Sequence, residues 1–122
     1  MGPLKDITVL EFSGIGPGPY CGMLLADLGA DVIRVSRKDV EGLENKYDIH
    51  NRSKRSITAD LKNKESVAEL LKLIAQVDVV FEGFRPGVME KLGIGPNDCL
   101  KVNPKLVYGR MTGWGQEGPL SK

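Results

Sequence analysis

The sequence is poor in several residue types on which binding and catalysis often depend. Its 122 residues include one histidine, one tryptophan and two cysteines, and the formal net charge is only +1. With a net charge so close to zero, the protein has no overall electrostatic attraction to nucleic acid or to a membrane surface. No apolar run approaches the ~20 residues of a membrane span, and the first residues lack the basic and apolar regions of a signal peptide. We therefore expect an intracellular protein, cytoplasmic or, in a eukaryote, mitochondrial or peroxisomal, without a nucleic-acid or membrane partner.

The few cysteines and the lone histidine argue against a metal centre and against histidine catalysis within this chain. Cys21 and Cys99 lie far apart without metal-ligand spacing, and Cys21 falls in an apolar segment. Buried, reduced thiols are the expected state of both. His50 lies in a polar stretch with no acid or nucleophile at a suggestive spacing, so we interpret it as an exposed side chain. We expect no metal and no covalently bound cofactor.

What the chain does contain is a composition typical of one folded domain. Hydrophobic residues make up 41% of the sequence and charged residues 27%, as in globular proteins rather than disordered ones. A chain of this length is long enough to bury a core of its own.

Residues 7–37 carry the most informative pattern, which predicts a strand, a glycine-rich turn, a helix and a second strand. An apolar run ends at Phe12, and glycines follow at 14, 16 and 18, where a Cβ would hinder a ligand's close approach. Apolar residues then recur at helical spacing as far as Leu28, and Gly29 is placed to end the helix. The unit therefore predicts a βαβ motif whose turn faces a phosphate-bearing ligand.

Two features distinguish this unit from the ordinary dinucleotide-binding motif. The glycine spacing is G-x-G-x-G rather than G-x-G-x-x-G, and prolines occupy positions 17 and 19. Where NAD-binding proteins place an acid at the end of the second strand, this chain has Arg37. A guanidinium can bind a phosphate through two hydrogen bonds, although a merely solvated strand-end charge is the alternative.

The remaining residues alternate between strand and helix patterns. We predict strands over about 7–12, 31–36, 56–59, 78–82 and 106–111, a helix over 63–76 capped by Asn63, and short helices near 89–92 and 96–102. Residues 38–51 are predicted to form an irregular loop. This order predicts a three-layer α/β domain with a mainly parallel sheet of about five strands.

Two further segments are candidates for ligand contact. Arg52, Lys54 and Arg55 form a compact basic cluster, for which a solvated loop is the alternative interpretation. Residues 83–87, GFRPG, follow the fourth predicted strand, and ligands bind beyond the carboxyl ends of parallel strands. Phe84 could stack on a ring and Arg85 could bind a phosphate.

Four blocks of the sequence, in order, resemble the amino-terminal part of the family III CoA-transferases, the CaiB/BaiF-type family. The blocks are IGPGPYCGMLLADLGADVIRV, NRSKRSITADLK, EGFRPGVMEKLG and NPKLVYGRMTGWGQEGP. Within the family they are most similar to the α-methylacyl-CoA racemases. Family transferases usually have Asn-Phe in place of Gly83-Phe84 and often a glutamine in place of Gly16. The resemblance extends over residues 4–119.

This resemblance implies that residues 1–122 form a Rossmann-like half-domain that binds coenzyme A as part of an acyl-CoA substrate. By resemblance, Arg37 contacts the nucleotide phosphates and Ala59 lies along the adenine. The residues implied along the pyrophosphate and pantetheine path and near the thioester are Gly83, Phe84, Arg85, Lys91, Ile15 and Gly16.

The resemblance also implies where the chemistry lies. Racemases of the family remove the proton α to the thioester with a His/Asp pair and reprotonate the enolate on either face. That pair is expected downstream of the GQ-x-GP segment, past Lys122, as are a second domain and a carboxyl-terminal return. We therefore assign no catalytic residue here and expect the chain alone to be inactive. Full-length family members are expected to be homodimers, and this chain alone to self-associate.

Three alternatives remain open at this point. The chain could belong to a transferase that moves CoA between carboxylic acids through an aspartyl-CoA intermediate. It could be a CoA-binding module without catalysis. It could also be an NADP-binding domain, as the βαβ unit with Arg37 suggests; tight binding of NADPH without binding of CoA would favour that interpretation.

Overall fold

The structure, a computed structural model, describes residues 2–12, 14–37 and 47–121. The strands are β1 (Thr8–Phe12), β2 (Asp31–Ser36), β3 (Lys54–Thr58), β4 (Val79–Glu82) and β5 (Val107–Arg110). The helices are α1 (Pro17–Asp27), α2 (Lys64–Ile74), α3 (Val88–Lys91) and α4 (Pro96–Val102), with one 3-10 turn at Ile49–Asn51. In these parts of the chain no helix has the length and apolar character needed to cross a membrane.

The five strands form one parallel sheet in the order β3-β2-β1-β4-β5. Val9 of β1 lies between Val32 of β2 and Val79 of β4, and this register continues along all three strands. The chain first adds strands on one side of β1 and then crosses over to add them on the other. This is the order of the Rossmann sheet, which places a crevice at the carboxyl ends of β1 and β4. The predicted α/β class and strand number are confirmed.

Helices cover both faces of the sheet, which confirms the predicted three layers. On one face Leu10 and Val80 pack against Leu70 of α2 and Met89 of α3. On the other face α1 packs over Val9, Val32 and Phe81. The central strands are therefore mainly apolar on both faces, as is usual for parallel strands between two helical layers, with Glu11 of β1, Arg34 of β2 and Glu82 of β4 as buried charged exceptions.

The ends of the helices are determined by local chemistry that the sequence already contained. Asn63 caps α2 by accepting the backbone N–H groups of Glu65 at 2.9 Å and Ser66 at 3.1 Å. Gly29 follows α1 with φ +101°, a conformation that glycine adopts without steric cost.

The structure differs from the predicted elements chiefly at β3, which begins at Lys54 rather than at residue 56. Lys54 and Arg55, two members of the basic cluster, therefore lie in an edge strand, where charged side chains are common, and not in a solvated loop. Of the predicted loop over 38–51, residues 38–46 lie outside the described ranges. Cys99 is buried, and burial raises the pKa of its thiol to about 12, whereas Cys21 is only partly buried.

Candidate functional site

The carboxyl ends of all five strands meet at one edge of the sheet, and residues predicted for the site follow four of them. Gly16 lies in the turn after β1, Arg37 follows β2, Ala59 follows β3 and Gly83 follows β4. Because the strands are parallel, the sheet brings together positions that are distant in the sequence.

A cleft of about 460 Å³ lies at this edge, on the face of the sheet covered by α2 and α3. It contains three of the predicted residues: Arg37 and Phe84 at the ends of β2 and β4, and Ala59 after β3. Its full lining is Arg37, Ala59, Asp60, Leu61, Lys62, Phe84, Val88 and Leu92. The cleft thus combines apolar walls with two cations, a combination that suits a ligand with both a ring and a phosphate.

A second depression of about 500 Å³ adjoins the cleft and shares Leu61, Lys62 and Leu92 with it. It is lined by two further lysines, Lys64 and the predicted Lys91. In a protein of net charge +1 this is a local concentration of positive charge, which favours an anion. The joined hollows are hereafter called the basic cleft.

Another hollow, of about 560 Å³, lies between α2 and the edge strand β3. Its lining includes the carboxylates of Glu65 and Glu69, which would repel a phosphate. Charge therefore favours the basic cleft as the candidate site, although this hollow is larger than either of the two that form the cleft.

The glycine turn after β1 differs in its donors from a turn that binds a dinucleotide pyrophosphate. Gly16, the N-cap of α1, has φ +78° and ψ −116°, and no side chain caps the helix. Helix N-termini bind phosphate through free backbone N–H groups, but Pro17 and Pro19 have none. Tyr20 already donates its N–H to the Gly16 carbonyl at 3.2 Å. The first turn of the helix is thus left with the N–H of Gly18, which is too few donors for a pyrophosphate.

A buried carboxylate holds the turn after β4. Glu82 is 2% exposed and its Oε2 accepts the backbone N–H of Phe84 at 2.8 Å. Arg110 lies 3.4 Å from the other oxygen of Glu82 and 2.6 Å from Glu90. Burial raises the pKa of Glu82, against the opposing effects of the Phe84 N–H and Arg110. These contacts fix the backbone that carries Phe84 into the cleft.

Four predicted residues lie at the same edge without lining the basic cleft. Ile15 and Gly16 are in the first turn, and Gly83 and Arg85 are in the second; all four are exposed, Ile15 by 96%. They border the crevice between β1 and β4, so contact with another part of an extended ligand remains a prediction.

The prediction that the basic cluster at 52–55 faces the ligand is wrong. Arg52 forms a 2.6 Å ion pair with Asp27, and Arg55 donates to Asp31 at 2.9 Å. Asp31 begins β2, so this pair lies at the amino-terminal edge of the sheet, opposite the cleft. The third cation, Lys54, points beneath α1 to Glu11.

The sequence interpretation also missed part of the lining, namely Leu61, Lys62, Val88 and Leu92. A usable signal was present, since Lys62 follows the third predicted strand closely and falls at the same edge. The basic cluster lies before the predicted strand, at the opposite edge of the sheet, whereas Lys62 lies after it, at the ligand edge.

Nearly the whole chain matches a known protein family. The model of CoA-transferase family III matches residues 4–122. This chain belongs to CoA-transferase family III.

The curated relatives include both racemases and transferases. The α-methylacyl-CoA racemase of Mus musculus is 49% identical over 119 residues, which are 98% of this chain and 30% of that enzyme. The succinyl-CoA–D-citramalate CoA-transferase of Chloroflexus aurantiacus is 40% identical over 129 residues, covering 96% of this chain and 32% of that enzyme.

Solved structures confirm the fold within this family. The crystal structure of a hypothetical protein from Mycobacterium tuberculosis superimposes with a TM-score of 0.91 at 40% identity, covering 99% of this chain and 36% of that one. The chain thus spans about a third of the length of the relatives that it matches.

Proposed function

We propose that this chain binds the coenzyme A part of an acyl-CoA, as the CoA-binding portion of an α-methylacyl-CoA racemase-type enzyme. The observation that carries the proposal is the basic cleft, where Arg37, Ala59 and Phe84 converge with three lysines. Coenzyme A needs these features together, because it carries an adenine ring, a 3′-phosphate and a pyrophosphate.

Each part of the ligand is assigned to residues of matching chemistry. Arg37 binds the 3′-phosphate, since it lies at the cleft and a guanidinium can donate two parallel hydrogen bonds to one phosphate. Ala59 and the apolar side chain of Leu61 lie along the adenine. Lys62 and Lys91 neutralise the pyrophosphate.

Pantetheine and the thioester then leave the cleft along the crevice between β1 and β4. Phe84 lies between the cleft and this crevice, and Gly83 and Arg85 border the path. Ile15 and Gly16 approach the thioester from the turn after β1. Gly16 has no atom within 4 Å of the position a Cβ would occupy, so that side of the turn is open to a ligand.

The racemase assignment rests on similarity rather than on a catalytic group. Identity is higher with the mouse racemase, at 49%, than with the Chloroflexus transferase, at 40%. Gly83 and Gly16 occupy positions where transferases of the family usually differ. CoA transfer between carboxylic acids is the second candidate, supported by that same 40% identity.

The proposal is tested by comparing CoA with 3′-dephospho-CoA by titration calorimetry. Replacing Arg37 by alanine removes a charge-assisted hydrogen bond, which is worth about 1.5–3 kcal/mol, so CoA is expected to bind roughly 10- to 150-fold more weakly. Binding of dephospho-CoA should change much less, because it lacks the phosphate that Arg37 contacts.

Arg52→Ala is the matched control, because it removes the same charge at a distance from the basic cleft. Arg52 pairs with Asp27, the last residue of α1. This variant should leave both affinities unchanged. Equal losses for the two ligands in Arg37→Ala would remove the 3′-phosphate assignment. Tight binding of NADPH without binding of CoA would overturn the proposed function, and the scarcity of N–H donors at the start of α1 argues against that outcome.

A further inference from the structure

The buried ion pair between Glu11 and Lys54 lies directly beneath the start of α1. The side chains are 0% and 1% exposed, and Lys54 Nζ lies 2.7 Å from Glu11 Oε2. Nζ also donates to Glu11 Oε1 at 3.1 Å and to the carbonyl oxygen of Pro19 at 3.0 Å. One ammonium group therefore joins the end of β1, the beginning of β3 and the first turn of α1.

Gly22 shows how closely the helix approaches this pair. A Cβ on Gly22 would lie 2.3 Å from Glu11 Oε2 and 2.9 Å from Lys54 Nζ. The helix can occupy its position only because residue 22 has no side chain. The contact thus fixes the height of α1 above the sheet as well as the direction in which its first turn points.

The segment that this contact holds is the glycine turn, which has few other restraints. Gly16, the N-cap residue of α1, has no side chain to accept a hydrogen bond from the helix, and the first turn of α1 contains no acidic residue. Pro17 and Pro19 lack the N–H groups that could tie the turn to its surroundings. The Lys54–Pro19 hydrogen bond is therefore an anchor just after the turn.

We propose that Glu11 and Lys54 are positioning residues that place the turn 14–19 for its contact with the acyl-CoA. This inference rests on the proposed function, since it gives the pair a role in binding that ligand. The pair acts through geometry and not through charge, because the two opposite charges cancel at the distance of the ligand. Gly22 is part of the same arrangement, since its lack of a side chain permits the close approach of α1 to the ion pair.

A buried ion pair could instead serve stability alone, and a double variant separates the two roles. Lys54→Met alone leaves the Glu11 carboxylate buried without its partner and is expected to be strongly destabilised. Replacing both residues by methionine removes both members of the pair, a change that is often neutral or stabilising for a fold, and leaves the buried Arg34 beside position 11 in place. The double variant is therefore expected to recover its thermal midpoint but to lack the bond to Pro19.

The experiment measures Kd for acetyl-CoA and for its 3′-dephospho form, which both carry the thioester that the turn is proposed to approach, in the 122-residue chain far below the thermal midpoint of each variant. In the double variant both ligands are expected to bind roughly tenfold more weakly, the size of one lost ligand hydrogen bond. The ratio of the two affinities should stay as in wild type, unlike in Arg37→Ala. Hydrogen exchange of a peptide covering residues 14–20 should become faster, with no change in α2.

Gly22→Ala provides an independent variant that keeps both charges and displaces the helix. It is expected to show the same equal loss for both ligands and the same faster exchange. Asp31→Asn, which breaks the exposed pair with Arg55, is the control and should change neither.

The outcomes separate this inference from the proposed function. Wild-type affinities in a folded double variant, with unchanged exchange at 14–20, would overturn the positioning role. If the double variant fails to fold, wild-type affinity in Gly22→Ala overturns it in the same way. If wild type itself does not bind CoA, the proposed function fails, and the exchange measurement still reports whether the pair holds the turn.

Discussion

At the scale of single residues, arginines lie at opposite edges of the sheet, and their positions support different roles. Arg37 lies at the ligand edge, where a guanidinium can bind a phosphate. Arg52 and Arg55 belong to ion pairs with aspartates of this chain, and these pairs stabilise the fold only weakly because they are exposed. The position of a cation relative to the strand direction, rather than the density of basic residues, decides which role it has.

The buried Glu82 leads to a prediction of pH dependence. Because burial raises its pKa, ionisation costs more in the folded than in the unfolded chain. The stabilising contribution of neutral Glu82 is fully present below the ordinary glutamate pKa and is lost as the pH rises through the raised value. Glu82→Gln keeps an oxygen for the Phe84 N–H, so its free energy of unfolding should rise relative to wild type as the pH is raised above the ordinary glutamate pKa. Urea denaturation at several pH values measures this.

Glu90 provides a control of opposite sign. Its pKa is lowered, first by a backbone hydrogen bond and also by Arg110, so its stabilising contribution is present at higher pH and lost as the pH falls. Glu90→Gln should therefore lose stability relative to wild type as the pH rises. If the free energy of unfolding relative to wild type changed with pH in the same direction in both variants, the opposite pKa shifts assigned to Glu82 and Glu90 would be contradicted.

At the scale of secondary-structure elements, the turn from β1 to α1 depends on the backbone conformation of Gly16. Its φ of +78° with ψ of −116° is hardly accessible to residues with a Cβ, although the space around that position is open. We expect Gly16→Ala to lower the free energy of unfolding by about 1–3 kcal/mol through backbone strain alone. Chemical denaturation of the free chain measures this.

Gly14→Ala is the matched control, because Gly14 also has open space but its φ lies outside the left-handed region. An alanine there should be neutral or slightly stabilising, since it restricts the unfolded chain. Equal destabilisation by both substitutions would mean that steric crowding, and not φ, governs the turn.

At the scale of the whole molecule, the cleft proposed to bind CoA offers few groups that could transfer a proton. The cleft lining contains one carboxylate, Asp60, and His50 is not part of it. Racemisation requires proton donors and acceptors on both faces of the carbon α to the thioester. We therefore expect the 122-residue chain to bind a 2-methylacyl-CoA without exchanging its α-proton.

Incubation with the acyl-CoA in deuterated water, followed by mass spectrometry, tests this expectation, with the mouse racemase as the positive control. Deuterium incorporation catalysed by the purified chain would contradict it. Self-association of the chain likewise stays a prediction. The exposed side chains of Tyr20, Leu24 and Leu28, which recur at helical spacing on or just after α1, are apolar surface of the kind that associates.

The sequence by itself determined most of the secondary structure and indicated which edge of the sheet carries the candidate site. Strong local signals made this possible: the apolar run of β1, the Asn63 cap of α2 and the glycines that end helices each act over a few residues. Because parallel strands bring their carboxyl ends to one edge, Arg37 and Phe84 could be assigned to one site as soon as the strands were recognised, whereas Ala59 came from the family resemblance. The resemblance to a family supplied the chemistry that these positions serve.

Only the tertiary structure decided which charged residues are partners. Lys54 and Glu11 are 43 residues apart, and no local pattern indicates that they meet beneath α1. The same holds for the pairs of Arg52 and Arg55, whose aspartates lie at the end of α1 and the start of β2. Long side chains reach partners that the packing of helix on sheet brings near, and that packing is a property of the folded chain, not of any short segment.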